Sequence, residues 1–539
     1  MASPAPKSPE QSDKNRKYDR QLRLWGDHGQ TALENAKVCL INATALGTEI
    51  LKSLVLPGIG AFTIVDGKKV EEDDIEGNFF LYFDSCGKSR AEIATQALLE
   101  LNPDVQGDYV DEDIEQVLEN NPEFLSSFSV VVATELKEST LIELSAKLWD
   151  LDITFVNCKS YGFLGYIRTQ LKEHTIIESH PDNQHPDLRL DKPFPAFVQF
   201  ANSIKLDEMD LKDHAHVPYL IILYKYLQKW KSETGKEFPK TSAEKRELKE
   251  MIRLGFLKND EGVPEDEENF EEAIRAVNSA LNPTVVPYNV KQILDDDACV
   301  NLTSKSKPFW ILAKAVRDFV ENVGDGTLPL RGSLPDMTAE TSKYIELQQI
   351  YHNRAMRDAD IVFRRVQQLL RELNQPAETI TEADVRLYCR HAHDLHLIRG
   401  SSISDEYQGR NANLQNIVSE LEPPGSMLLY YIMLRGVDRF YLEYNRYPGE
   451  CNDDVEPDIV QLKACIAKLL GEWGSGPLAK DDYVHEICRY GGCELHSISA
   501  FIGGCAAQEI IKFITKQYVP VHNTFIYDGI TSSTATFSF

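Results

Sequence analysis

At 539 residues the chain is too long for one ordinary hydrophobic core, so two or three compact units are expected. A net charge of -27 excludes the cationic surface with which nucleic-acid binders displace counterions, while 42% hydrophobic residues fit a globular protein. The 10 cysteines include no Cys-x-x-Cys pair, so neither a zinc site nor a redox motif is signalled, and a reducing compartment is expected: the cytoplasm, with the nucleus as a further site.

Residues 1–17 carry Ser-Pro pairs and none of the apolar core a signal peptide needs, and are expected to be a disordered tail. The longest wholly apolar run, Met427–Leu434, is too short for a bilayer, so no membrane span is expected. Tyr18-Asp19-Arg20-Gln21, with Arg23 and Trp25-Gly26, suggests an N-terminal helix over a sheet edge; its functional alternative is that Arg20 reaches a phosphate, which a planar guanidinium pairs bidentately. Val38–Ile41 then forms a strand, Asn42–Gly47 a turn, Thr48–Leu56 a helix, and Phe62–Val65 a second strand closed by Asp66. Further strands are expected at Phe128–Ala133 and Thr154–Asn157. Such alternation implies a parallel sheet covered on both faces.

Strand, tight turn, helix, strand and acid is the layout of a dinucleotide-type unit, in which glycines let backbone N–H groups approach a phosphate and the acid holds a ribose. Here Asn42, Thr44 and Ala45 stand where glycine is expected, and only Gly47 remains. Their side chains are expected to crowd out a phosphate, leaving a nucleotide-type fold that no longer binds its own nucleotide.

Beyond Ile167 apolar residues recur at helical spacing, as in Tyr219–Trp230, Phe309–Phe319, Tyr344–Leu370 and Ile459–Leu470. The acidic run Glu265–Glu268 is expected to favour the N-terminus of a helix over Phe270–Leu281. His214 and His216, two apart with no third ligand, are expected in a solvated loop and not at a metal. Cys299, Cys389, Cys451 and Cys465 show no activating arrangement and are expected to be buried structural thiols. After Asp481 alternation returns: Ser497–Thr515 as a helix, in which Gly503-Gly504 permits close approach to the sheet, then Thr524–Tyr527 as a strand and alternating Thr and Phe at the end. The fold class expected is therefore α/β: a Rossmann-like parallel-sheet domain, residues 18–166 and 481–539, interrupted by a large, mainly helical insertion at 167–480.

Together these segments resemble the activating enzymes for ubiquitin and ubiquitin-like proteins and the bacterial adenylating enzymes of molybdopterin and thiamin biosynthesis. The landmarks are Tyr18–Gln21 with Trp25-Gly26, Leu46-Gly47-Thr48-Glu49, Leu56-Pro57-Gly58-Ile59-Gly60, Asp66, Asn78, Gly87-Lys88, Leu101-Asn102-Pro103, Ile502-Gly503-Gly504 and Gln508–Lys512. Within the insertion, Leu328–Met337, the following Tyr344 helix, Glu178–Asn183 and Leu188–Pro193 are similar to the noncatalytic half of the heterodimeric members that act on a Nedd or Rub modifier. The resemblance implies an adenylation-type domain whose insertion matches the catalytic-cysteine domain but lacks the cysteine.

Active members carry a glycine loop, a second acid where this chain has Lys68, and Asn-x-x-Arg-Gln where it has Asn78–Tyr82. The magnesium-binding acid matches Glu135, followed by Leu136. Asp66, Lys88 and Glu135 are thus expected as remnants, with Asp66 and Lys88 serving fold stability, and no cofactor or metal is expected in this chain. In symmetric bacterial relatives the arginine matching Arg20 crosses to the other protomer's nucleotide. The resemblance therefore implies a catalytic partner that holds ATP and magnesium, an arginine lent in trans, and engagement of the modifier and a conjugating enzyme through the complex. The alternatives are a docking scaffold without catalytic contribution and, from another class, a dinucleotide-dependent oxidoreductase.

Overall fold

The computed structural model describes residues 16–181, 186–409, 426–476 and 482–539. Two compact units form, one from Met1–Ile176 with Leu397–Phe539 and one from Ile177–His396. The tail at 1–15, Asp182-Asn183 and the Pro423-Pro424 break lie outside the described residues.

The first unit is built on an eight-stranded sheet of β1 (Lys37–Ile41), β2 (Ala61–Val65), β3 (Gln106–Val110), β4 (Val130–Thr134), β5 (Thr154–Tyr161), β6 (Leu164–Gln170), β9 (Thr524–Asp528) and β10 (Ser533–Phe537) in the order β10-β9-β6-β5-β4-β1-β2-β3. β7 (Glu173–Ile176) and β8 (His396–Arg399) pair separately. The five strands from β3 to β5 run parallel, and β6, β9 and β10 extend the sheet antiparallel. Val38–Ile41 and all of β4 are buried, the signature of strands covered by helices on both faces.

The insertion is shorter than the sequence implied. Position 167 falls inside β6, and the helices Leu428–Tyr444 and Val455–Glu472 belong to the sheet unit. They pack Ile432, Val437, Leu462 and Ile466 against Tyr161, Leu164 and Tyr166. β6 was illegible locally because it buries Arg168 and Gln170, polar residues that only distant partners accommodate: Arg168 Nε donates to Glu406 at 2.9 Å and the Gln170 amide donates to Ser145 O at 2.9 Å. β3, with Gly107 and Asp108, is a polar edge strand.

The helix His496–Thr515 is long and apolar enough to cross a membrane by composition, but here it is a core helix, with Ile498, Ile502, Ala506 and Ile510 buried. Gly503 does not serve approach to the sheet. A Cβ there would stand 2.8 Å from Glu49 Cβ, so this glycine lets the helix close on its neighbour Ala45–Val55. Gly504 faces open space.

The second unit is helical, with Phe197, Leu220, Trp230, Phe270, Leu347 and Tyr351 in its core. Its distinctive motifs form one buried clasp. Arg189 Nε donates to Asp187 Oδ1 at 2.5 Å and Arg189 Nη2 to Leu328 O at 2.8 Å, while Arg331 N reaches Asp187 Oδ2 at 3.2 Å. From the Thr341–Glu372 helix, the Tyr351 hydroxyl donates to Leu188 O at 2.6 Å and Asp358 accepts from Leu330 N at 3.1 Å.

Three local expectations change. His214 is not in a solvated loop; it is buried, stacks on Phe270 at 4.7 Å and pairs with Glu267, whose other oxygen accepts from Leu257 N at 2.8 Å. Glu267 is thus a buried pairing acid and not simply a helix-dipole partner. Cys299, Cys389 and Cys465 are buried, with burial pushing the Cys299 thiol up to about 12, whereas Cys451 is exposed.

A Cβ on Gly165 would lie 2.2 Å from Ile502 Cδ1, in a fully buried contact between β6 and the His496–Thr515 helix. Gly165→Ala is expected to cost about 1–3 kcal/mol through overpacking, seen as a lower urea midpoint with unchanged slope for the sheet unit.

Candidate functional site

In the parallel half of the sheet the chain leaves β1 toward β2 on one side and reaches β4 on the other, so the topological switch point lies between β1 and β4. Open α/β sheets place ligands outside the carboxyl ends of such strands. A cleft of about 620 Å³ opens there, lined by Thr44, Ala45, Lys68, Arg90, Glu135 and Glu494 among others. Asn42 follows β1, Asp66 follows β2 and Glu135 follows β4, so the sequence-predicted loop and remnant acids converge on one edge.

Asn42 has φ 69°, in the left-handed region that Asn tolerates better than most residues. Its side-chain amide donates to Thr134 O at 2.8 Å and Glu135 O at 3.1 Å. Thr44 caps the Ala45–Val55 helix by accepting from Gly47 N at 3.2 Å, and its hydroxyl lies 3.1 Å from that of Thr134. A Cβ on Gly47 would be 2.6 Å from Asn42 O, so this turn requires glycine there. The Asn42 and Thr44 side chains are therefore tied to the end of β4, and crowding by them is not what closes the site.

What occupies it instead are carboxylates already bonded to backbone donors of this edge, at Ala43 N, Ala45 N and Lys68 N. Asp66 accepts from Ala43 N at 2.8 Å, Lys68 N at 3.0 Å and Arg90 Nε at 2.6 Å, and is 1% exposed. Glu494 Oε2 accepts from Ala45 N at 2.9 Å, the first N–H of the helix, where a phosphate would otherwise sit. The acid expected at a ribose and a carboxylate from the C-terminal segment thus hold Ala43 N and Ala45 N, so a phosphate at the start of this helix does not fit without displacing Glu494.

Charge at the edge is tightly matched. Arg90, 3% exposed, also donates through Nη1 to Asp74 Oδ1 at 2.9 Å; burial would lower its affinity for the proton, but Asp66 and the neighbouring acids raise it above the usual arginine range. Lys68 donates to Glu135 Oε1 at 3.1 Å, closing off the remnant metal acid. Burial, reinforced by Glu135, pushes the Glu494 carboxyl up to about 7 against the opposing pull of Ala45 N, the Thr44 hydroxyl and Arg90. Among the described residues no group of three His, Cys, Asp or Glu side chains is placed to hold a metal ion.

Lys88 does not stabilise the fold through its side chain, which is exposed and without a partner among the described residues; Arg90, two positions on, does so. The sequence held one signal for Arg90. It is the first residue of the Arg90–Leu99 helix, where the dipole disfavours a cation, so its placement there is a mild local conflict that a nearby acid resolves. Nothing local signalled Glu494.

The Asp19–Asn35 helix places Arg20 differently. Tyr18 is buried, accepting from Asn102 Nδ2 at 3.1 Å, and Gln21 donates to Pro57 O at 2.7 Å. A Cβ on Gly58 would be 2.7 Å from the Tyr18 hydroxyl, at φ 86°, so that glycine is needed for the fit. Asp19 pairs with Arg23 at 2.7 Å. Arg20 is exposed and, among the described residues, has no ion pair or side-chain hydrogen bond. Tyr18, Gln21, Pro57, Gly58 and Asn102 thus form the anchor of a helix start whose Arg20 guanidinium is uncommitted among the described residues.

The ThiF family model matches residues 18–539. The NEDD8-activating enzyme E1 regulatory subunit of Danio rerio is 51% identical over 526 residues, covering 98% of this chain and 99% of that one. The Drosophila melanogaster protein of the same description is 50% identical over 538 residues, covering 99% of each. An Arabidopsis thaliana NEDD8-activating enzyme E1 regulatory subunit is 38% identical over 517 residues, covering 95% of this chain and 94% of its own.

Removing one partner of the Asp66–Arg90 pair strands a buried charge, and Arg90→Ala is expected to destabilise the sheet unit by about 3–5 kcal/mol in urea unfolding. The Glu494 carboxyl, raised from 4.5 to about 7, holds a proton in the native state that the unfolded chain has already lost between those values. Its stabilising contribution is therefore full below 4.5 and is lost as pH rises through about 7. Glu494→Gln is expected to remove this dependence, so the melting temperature of the variant relative to the parent rises between pH 4.5 and about 7 and levels off above that.

Proposed function

The chain belongs to the ThiF family, and from that premise we propose that it is the regulatory subunit of a NEDD8-activating enzyme, lending Arg20 in trans to the ATP site of a catalytic partner. Alone it is not catalytic. The observation that carries this is the edge of the sheet, where Asp66 and Glu494 hold the amides that a nucleotide phosphate would use. A chain built so leaves ATP and magnesium to its partner, and with them the adenylation of the modifier's C-terminal carboxylate and its transfer to the partner's cysteine. Those donors being occupied also speaks against a dinucleotide-dependent oxidoreductase.

Adenylation builds negative charge on the α-phosphate and on departing pyrophosphate. A cation already in place offsets that charge without reorganisation at the moment of reaction. Arg20 is suited to this, because its flanking Tyr18 and Gln21 fix the helix start while its own guanidinium is uncommitted within the described chain. A planar fork can meet two phosphate oxygens at once. The modifier and a conjugating enzyme engage through the complex, and the protein works in the cytoplasm or nucleus, where its thiols stay reduced.

The test is ATP–pyrophosphate exchange dependent on the modifier, with this chain, the partner, the pair, and the pair carrying Arg20→Ala. Activity is expected only in the pair, with a fall of at least tenfold in the variant (about 1.4 kcal/mol or more) while the complex stays intact by gel filtration. An undiminished variant would leave this subunit a docking scaffold.

A further inference from the structure

A short strap, Gly491–His496, crosses the carboxyl edge of the sheet just before the C-terminal helix. Gly491 and Gly492 take φ of 56° and 79°, and a Cβ on Gly492 would lie 2.6 Å from Tyr447 Cδ2, so the approach to the cleft depends on both glycines. Three contacts pin the strap: Gly162 N donates to Cys493 O at 2.7 Å, Ala45 N to Glu494 Oε2 at 2.9 Å, and His496 Nδ1 lies 3.2 Å from Gly77 O.

Arg90 lines the same cleft, with one arm that makes no hydrogen bond. Its Nη2 is buried without a hydrogen-bond partner, and the Glu135 carboxylate stands 4.0 Å away, beyond bonding distance. A helix N-terminus and a guanidinium, both groups that attract anions, border this one cleft. The lost glycines do not fill it, because Asn42 and Thr44 are bonded to Thr134 and Glu135. The carboxylate of Glu494 does.

We propose, resting on the assignment of ATP to a partner subunit, that Glu494 bars polyphosphate from this cleft by occupying Ala45 N and, when ionised, by repelling the incoming charge. The nucleotide specificity of the heterodimer is then enforced twice, once by the partner's competent site and once by exclusion here. The strap makes the exclusion conditional on the fold, since it brings a residue near the C-terminus onto a turn near the N-terminus.

Inorganic pyrophosphate is the probe, titrated calorimetrically into the full-length chain at pH 8 (about a unit above the Glu494 value). Little or no saturable binding is expected for the parent. Glu494→Ala, which empties the seat, is expected to bind at least tenfold more tightly, and Glu494→Gln, which removes the charge but keeps an acceptor on Ala45 N, to fall between. Equal binding by the parent, or no gain in either variant, would overturn the proposal. Should Glu494→Ala melt below the assay temperature, Glu494→Gln decides by itself, since loss of charge alone is expected to raise affinity. The titration uses no partner, so its failure is distinguishable from failure of the lent arginine, which only the exchange assay on the pair reports.

Discussion

The Asp66–Arg90 ion pair organises the carboxyl edge of the sheet. Its carboxylate gathers the turn after β1 through Ala43 N, its own strand end through Lys68 N, and the Arg90–Leu99 helix through the guanidinium. Both partners are almost wholly removed from water. A charge pair at such depth is costly, and further hydrogen bonds offset part of that cost, as Asp74 does here. In an active layout the same acid would be kept for a ribose hydroxyl. Once it is bonded to the chain's own backbone, the turn is held in a shape that serves the fold and not a ligand.

A similar economy governs the helical unit. Its distinctive stretches are Leu188–Pro193 and Leu328–Met337. They meet through Asp187, Arg189 and Arg331, with Tyr351 closing the cluster from the long helix. Buried polar networks of this kind tolerate few substitutions, because each lost member leaves another donor or acceptor unpaired. A motif can therefore be specific to a subunit for reasons of packing alone.

Arg20 stands apart because its neighbours are committed and it is not. Tyr18 and Gln21 are fastened to Asn102 and Pro57, so the helix start is rigid, while the guanidinium between them finds no counter-charge within the described chain. Rigidity with an unused charge is the condition for preorganised electrostatic help to a neighbouring site. The same protein thus shows two treatments of cationic side chains: Arg90 is buried and paired to hold the edge together, and Arg20 is exposed and, among the described residues, unpaired at the end of an anchored helix.

How much of this was legible in the sequence depended on the range of the interactions. Periodicity and turn chemistry act within a few residues, so the strands around Val38–Ile41 and Phe62–Val65, the helices at Tyr219, Phe309 and Tyr344, and the loss of the glycine loop could be read directly. β6 escaped because Arg168 and Gln170 look polar until Glu406 and Ser145 arrive, and His214 looked solvated until Phe270 and Glu267 enclosed it. The landmark residues placed the site at the end of β1, but the sequence assigned its closure to side-chain crowding. Only the tertiary structure showed that a carboxylate 449 positions from Ala45 takes the phosphate seat. Local pattern decided what kind of edge the sheet would have; chain closure, which no short-range rule contains, decided what occupies it.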